Sequence, residues 1–125
     1  MPAPVLVVHN EDETRERALA ALRAAGHEVI GFSDPTAALN AIEAASRVRV
    51  VVTRVNFGER KLNGVALARM LKIKRLGVSM VFILRPRNLH FAADLGECLP
   101  APFDAEALVE AVARVFSRSD DGPDQ

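Results

Sequence analysis

Cysteine and the larger aromatic residues are scarce in this sequence, and their scarcity excludes several kinds of site. The 125 residues include one cysteine, Cys98, so neither an internal disulfide nor a multi-cysteine metal site can form. Because Trp and Tyr are absent, a surface that stacks nucleic-acid bases would depend on six Phe. We therefore expect a cytoplasmic protein, and the composition argues against nucleic acid as its partner.

Long apolar runs and a signal sequence are also missing. No apolar stretch approaches the roughly 20 residues that cross a membrane, and the start MPAPVLVV has no basic region. The sequence thus predicts no membrane contact. Its length fits one domain, which we place at residues 1–117, followed by a polar C-terminal tail at 118–125 that we expect to be disordered.

The net charge is zero, but the charged residues are unevenly distributed. Residues 47–87 contain eleven bases and one acid, a net charge of +10, whereas residues 1–46 have −4 and residues 88–125 have −6. Either the folded domain interleaves these segments and neutralises them, or one face stays basic and binds an acidic partner or a nucleic acid. The sequence leaves both open.

Apolar, strand-like segments alternate with amphipathic, helix-like segments. The predicted strands are residues 5–8, 27–32, 48–52, 78–84 and, more weakly, 96–99. The helices after the first, second, third and fifth strands begin at Asn10, Asp34, Asn63 and Asp104. This alternation predicts an α/β fold with a doubly wound, five-stranded parallel sheet and helices on both faces. Ligands of such folds bind beyond the carboxyl ends of the strands.

Three segments resemble the receiver domain of response regulators in two-component signalling. They are VLVVHNEDETRERALAALRAAGHEVIGF, LNGVALARMLK and APFDAEALVEAVARVF. Their order and spacing over residues 4–116 support the resemblance, which implies a flavodoxin-like (βα)5 sandwich. The span from Leu84 to Ala101 is shorter than in the family by more than a helical turn of about 3.6 residues. We therefore expect a shortened fourth helix.

The resemblance implies phosphoryl transfer to an Asp, but the residues for this chemistry are replaced. In the family, an Asp at the end of the third strand accepts the phosphoryl group, and two acids after the first strand help to bind Mg²⁺. The acidic pair falls on His9 and Asn10, and the phosphoacceptor falls on Arg54. The Ser/Thr, aromatic switch and Lys positions fall on Leu84, Cys98 and Ala101.

The absence of Asp between Asp34 and Asp94 makes this conclusion independent of the alignment. No shift of register places an Asp at the end of the third strand, and Arg can neither accept a phosphoryl group nor bind Mg²⁺. We interpret the chain as a degenerate pseudo-receiver with no catalytic residue, no metal and no cofactor. Arg54 either fills the phosphate pocket as a permanent cation or forms a salt bridge to Glu11, Asp12 or Glu59.

Further candidate residues lie in the predicted loops at the carboxyl end of the sheet. A basic interaction mouth is predicted from Arg54, Arg60, Lys61, Arg85 and Arg87. Leu89 and Phe91 form either an apolar docking site or a plug over the core. The Ala101–Pro102 step matches a family turn that is typically cis, so a cis peptide is predicted there.

His9 and Cys98 each have a structural and a functional interpretation. His9 is interpreted as a hydrogen-bonded loop histidine rather than a metal ligand or a pH sensor. Cys98 is interpreted as a small core residue rather than a redox sensor.

The leading hypothesis is a stand-alone receiver-like domain in phosphorelay signalling that acts by phosphorylation-independent protein–protein interaction. Its partner would be a histidine kinase, a phosphotransferase or another regulator, and a homodimer is a further option. The alternative is a small protein that binds an anion or a nucleic acid through the basic mouth, against which zero net charge and few aromatics stand. We expect no enzymatic activity, because no nucleophile–base pair, Gly-rich phosphate loop or metal-ligand set is visible.

Overall fold

Five strands and four α-helices alternate along the chain. The computed structural model describes residues 5–44, 47–58, 61–74 and 77–120, and of residues 89–91, 119 and 120 it describes the backbone alone. In chain order the elements are β1 (Val5–Val8), α1 (Asp12–Ala24), β2 (Val29–Phe32), α2 (Pro35–Ala44), β3 (Val50–Arg54), α3 (Gly64–Ile73), β4 (Ser79–Leu84), a 3₁₀ helix (Pro86–Phe91), β5 (Glu97–Pro100) and α4 (Ala105–Asp120).

The strands form one parallel sheet in the order β2-β1-β3-β4-β5. Val8 of β1 lies beside Thr53 of β3, and Arg54 at the end of β3 lies beside Ile83 of β4. The chain leaves β1 toward one edge of the sheet and leaves β3 toward the other. A crevice therefore opens between the carboxyl ends of β1 and β3. This is the flavodoxin-like α/β fold that the sequence predicts.

Alternate residues of the strands build a separate apolar core on each face of the sheet. Val7 and Val52 pack with side chains of α1 and α4, and Leu6 and Val51 pack with side chains of α2 and α3. Burial on both faces explains why β1 and the start of β3 are continuous apolar runs. No helix in the described ranges is both long and apolar enough to cross a membrane.

The helix predicted between β4 and β5 is shortened, as expected. It is a six-residue 3₁₀ helix, Pro86–Phe91. The 3₁₀ geometry fits the shortness of the connection, because such helices occur in short pieces. The Ala101–Pro102 peptide bond that follows β5 is cis.

Several predicted boundaries differ from the structure by one to three residues, and two of the differences have a clear physical reason. The sequence ends the third strand at Val52, whereas β3 continues through Thr53, which is fully buried, to Arg54. Because Thr53 and Arg54 are polar, a search for continuous apolar residues ends the strand before them. The Thr53 hydroxyl is satisfied inside the protein, since it donates to the backbone carbonyl of Arg54 at 2.8 Å.

The last helix is also longer than predicted. Residues 118–120, assigned to the tail, belong to α4. Glu97 of β5 accepts hydrogen bonds from Arg114, at 2.8 Å, and from Arg118. Burial of the Glu97 carboxyl opposes its ionisation, but the hydrogen bonds and charges of these two arginines hold its pKa below the ordinary value. This contact ties the last turns of α4 to the sheet.

Gly64, the first residue of α3, lets this helix start directly against the end of β3. A Cβ at Gly64 would lie 2.4 Å from the carbonyl oxygen of Arg54 and 3.1 Å from Cγ2 of Thr53. The Gly64 N–H donates to the carbonyl of Val55 at 2.8 Å. Because the obstructing atoms include backbone, a side chain at this position must displace either α3 or the end of β3.

We expect Gly64→Ala to lower the free energy of unfolding by about 3 kcal/mol through this overpacking. Gly58→Ala is the matched control in the same connection, because a Cβ there meets no atom of the described residues within 4 Å and its φ of +103° is the source of strain. Its expected loss is about 1 kcal/mol. Urea denaturation followed by circular dichroism measures both, and equal losses would contradict the close approach of α3.

Candidate functional site

A cleft of about 920 Å³ opens at the carboxyl edge of the sheet. The ends of β3, β4 and β5, the loop after β1 and the first turn of α3 meet there. Residues that line the cleft from these elements include His9, Glu11, Arg54, Val55, Asn63, Val65, Leu84, Arg85, Ala101, Pro102 and Phe103. Asn63 caps α3, since its side-chain oxygen accepts from the Ala66 N–H at 2.7 Å. The cleft thus occupies the position where doubly wound sheets bind ligands.

Arg54 crosses the crevice between β3 and the loop after β1. Its Nη1 donates to Oδ1 of Asn10 at 2.8 Å and lies 3.9 Å from Oε2 of Glu11. The side chain is 34% exposed, so this contact lies at the edge of the solvent. The position expected for a phosphoacceptor therefore holds a guanidinium group in contact with the position expected for an acidic pair.

The sequence predicts Asn10 as the N-cap of the first helix, and this prediction is wrong. The contact of Asn10 with Arg54 explains why. The N-cap of α1 is Glu11, which makes no side-chain capping bond. The Asn10 side chain bonds instead to a residue 44 positions away. A local pattern cannot detect such a competitor.

His9 is buried beneath this contact, with 4% of its surface exposed. Its Nδ1 accepts a hydrogen bond from the Glu11 N–H at 3.1 Å, and its carbonyl accepts one from Arg15 at 2.9 Å. Burial and the charge of Arg54 lower the pKa of His9 to about 4; Arg15 acts in the same direction, and Glu11 opposes them. His9 is thus a neutral, hydrogen-bonded residue at neutral pH.

These residues do not fit the Mg²⁺ that the family resemblance implies. Glu11 is the one carboxylate among the described residues lining the cleft, and its Oε1 already accepts from the Thr14 hydroxyl at 3.1 Å. In the part of the chain that the structure describes, no three His, Cys, Asp or Glu side chains lie close enough to share a metal ion. Mg²⁺ requires several oxygen ligands in near-octahedral geometry, so this donor set is inadequate.

The structure assembles the predicted basic mouth in part. Arg54, Arg85 and Arg87 line the cleft, but Lys61 does not, because its Nζ lies 3.3 Å from Oδ1 of Asp34 at the start of α2. Arg60 lies outside the described residues. Sequence reasoning missed two further members, Arg17 of α1 and Arg69 of α3, which line the same cleft. The helical spacing of Thr14 with Arg17, and of Ala66 with Arg69, could have indicated them.

The acidic and basic segments of the sequence neutralise each other only in part. Ion pairs join bases of residues 47–87 to acids of residues 1–46: Arg47–Glu28 at 3.8 Å, Arg54–Glu11 at 3.9 Å, Lys61–Asp34 at 3.3 Å and Lys74–Glu43 at 2.6 Å. Within the described ranges, Arg69, Arg85 and Arg87 have no acidic partner. Positive charge therefore remains concentrated at the cleft.

The residues at the other predicted site positions are in contact with the core or the backbone of the sheet. Leu84 is buried in the core between the sheet and α2 and α3, and its carbonyl accepts from the Ala101 N–H at 2.9 Å. Cys98 is half-buried; burial, followed by the charge of Glu97, raises the pKa of its thiol, which disfavours the reactive thiolate. The side chains of Leu89 and Phe91 lie outside the described residues.

Solved structures with this fold include response-regulator receiver domains. NtrX from Brucella abortus matches with a TM-score of 0.85 and 26% identity over 96% of this chain, which spans 28% of the NtrX chain. The chemotaxis response regulator CheY4 of Vibrio cholerae matches with a TM-score of 0.80 and 22% identity, over 92% of this chain and 99% of that one. A response regulator receiver domain protein from Clostridium thermocellum matches with a TM-score of 0.84 and 22% identity, over 94% and 97%.

The sequence itself matches no protein-family model and no curated protein. The structural neighbours show that this chain has the fold of receiver domains over nearly its whole length.

The burial of neutral His9 predicts a pH-dependent stability. Unfolded His9 takes up a proton near its ordinary pKa of 6.5, and the folded form does so only near 4. Stability is therefore complete above pH 6.5 and is lost as the pH falls toward 4, by about 2 kcal/mol between about pH 7 and pH 5. Urea denaturation at these two pH values measures the loss.

His9→Asn is the control for this prediction. Its side-chain oxygen can accept from the Glu11 N–H but does not titrate, so we expect the unfolding free energy of this variant to change much less over the same pH interval. A wild-type stability that stays constant from pH 7 to pH 5 would contradict the lowered pKa.

Proposed function

We propose that this chain is a receiver-like domain of two-component signalling that acts by binding another protein without being phosphorylated. The fold shared with response-regulator receiver domains supports a phosphorelay role. The observation on which the rest of the proposal depends is the contact of Arg54 with Asn10 and Glu11. A protonated guanidinium has no free lone pair with which to accept a phosphoryl group.

Electrostatics at the crevice disfavour the metal as well. Two unit charges about 4 Å apart interact with about 1 kcal/mol in bulk water and about 4 kcal/mol at an effective dielectric constant of about 20. The partly exposed Arg54 lies between these limits, so its charge opposes a divalent ion nearby. The attraction of one carboxylate, Glu11, is of the same size and is cancelled. A site of this composition gives Mg²⁺ little net stabilisation.

The same contact fixes the crevice in one arrangement. Arg54 bonds the end of β3 to the loop after β1, and His9 bonds that loop to the first turn of α1. In this proposal the surface around the cleft is present permanently rather than formed after phosphorylation. A histidine kinase, a phosphotransferase or another regulator would recognise it as a constant feature. The chain would have no enzymatic activity of its own.

The surface beside β4 supports a partner choice that differs from that of other receivers. The 3₁₀ helix Pro86–Phe91 takes the place of a full fourth helix, so a partner that contacts this face meets a different backbone. A homodimer through the same face stays a hypothesis.

Wild-type protein should not respond to the phosphoryl mimic beryllofluoride. In an amide NMR titration with Mg²⁺ and beryllofluoride, we expect the peaks of residues near Arg54, Leu84 and Ala101 to stay in place, because neither a nucleophile nor a metal site is available. The matched variant His9→Asp/Asn10→Asp/Arg54→Asp supplies three carboxylates at the crevice, and its peaks should shift with millimolar Mg²⁺. Saturable, Mg²⁺-dependent shifts in the wild type would contradict the proposal.

Partner binding should also be independent of the mimic. We expect at least one purified histidine kinase or phosphotransferase of the same cell to bind the chain with equal affinity with and without Mg²⁺ and beryllofluoride, as measured by biolayer interferometry. A conventional receiver domain is the control for an active mimic. An affinity that changes by more than about tenfold, or about 1.4 kcal/mol, would mean that the crevice still switches.

A further inference from the structure

The cleft at the carboxyl edge of the sheet concentrates positive charge. Arg17, Arg54, Arg69, Arg85 and Arg87 line it, and Glu11 is the one carboxylate among its described lining residues. His9 adds no charge, because its pKa of about 4 leaves it neutral near pH 7. Five arginines and one carboxylate give the lining a net charge of +4.

Most of this charge is available to a ligand. Arg54 is engaged with Asn10 and Glu11, whereas Arg69, Arg85 and Arg87 have no acidic partner in the part of the chain that is described. These three come from α3 and from the segment after β4, so donors surround the cleft from different elements.

Arg17 is held in place without losing its donors. Its guanidinium carbon lies 5.3 Å from the centroid of the Phe103 ring. An arginine placed over an aromatic ring is oriented by the cation–π attraction and can still present its N–H groups at the edge of the guanidinium plane. Arg17 is therefore oriented beside the cleft before any ligand arrives.

Part of the remaining lining is apolar and suits a ligand with an organic part; Thr14, Asn56, Asn63 and Asn88 are polar members of the same lining. Val55, Val65, Pro102 and Phe103 contribute to the apolar part. The volume of about 920 Å³ is near the upper end of clefts that bind small molecules, about 300–1,000 Å³. A concave site of this kind fits a compact ligand better than a nucleic-acid duplex, whose recognition uses an extended basic surface.

We propose that this cleft binds a small organic molecule with two or more phosphate groups, held by arginines and not by a metal ion. Guanidinium groups form two parallel hydrogen bonds to phosphate oxygens. Four available arginines exceed what one phosphate can use, so a polyphosphate matches the charge better. This proposal goes beyond the signalling role and does not depend on it.

Isothermal titration calorimetry of the full 125-residue chain tests the proposal, with EDTA present to exclude metal-mediated binding. The probes are adenosine, AMP, ADP, ATP and inorganic triphosphate. We expect affinity to increase from AMP to ATP, adenosine not to bind, and inorganic triphosphate to bind more weakly than ATP because it lacks the organic part. Absence of binding by ADP and ATP would overturn the proposal.

Two double variants separate the cleft from general charge attraction. Arg85→Gln/Arg87→Gln removes two cleft arginines, and Arg23→Gln/Lys72→Gln removes two exposed charges that do not line the cleft. We expect the first to weaken ATP binding at least about tenfold and the second to leave it unchanged. Equal loss in both variants, or tighter binding of a short oligonucleotide than of ATP, would overturn the proposal. Because Arg54 is retained in both variants, these results leave the phosphorylation-independent role untouched.

Discussion

The hydrogen bond from Arg54 to Asn10 joins the end of β3 to the loop after β1, the two strands from which the chain continues toward opposite edges of the sheet. Every parallel sheet of this topology brings the end of β3 beside the loop after β1, so the residues at these two places determine what the crevice can do. A cation on one side requires an acceptor on the other, and Asn10 and Glu11 provide it. Burial is the main reason that the pKa of His9 is lowered, and the charge of Arg54 acts in the same direction, since it repels a second cation nearby.

Much of the architecture was predictable because the signals are local. Strands buried on both faces leave continuous apolar runs, and the span from Leu84 to Ala101, shorter than in the family that the sequence resembles, predicts a shortened helix. The expectation that the third strand ends without an Asp rests on a different kind of signal. No Asp occurs between Asp34 and Asp94, and a residue type that is absent from a whole stretch of sequence cannot be supplied by the fold of that stretch.

The remaining features depend on contacts between distant residues, which no local pattern reports. Asn10 has the properties of a helix cap, but Arg54 competes for its side chain. Lys61 lies in the loop predicted to line the basic mouth, but its side chain forms an ion pair with Asp34 instead. The cleft gains Arg17 from a helix and not from a loop, because helices α1 and α3 flank the carboxyl edge of the sheet. A prediction that considered the loops alone therefore missed the arginines that the helices contribute to the cleft.

The edge strand β5 has a consequence for how the molecule can meet other chains. It is four residues long, begins with the ion-paired Glu97 and ends at Pro100, which has no N–H to donate. Short length, charge and proline are the features by which natural proteins keep a sheet from growing across its edge. Continuation of the sheet into a neighbouring molecule is thus disfavoured at β5, and association on this side of the molecule would use loops and helix faces instead of strand pairing.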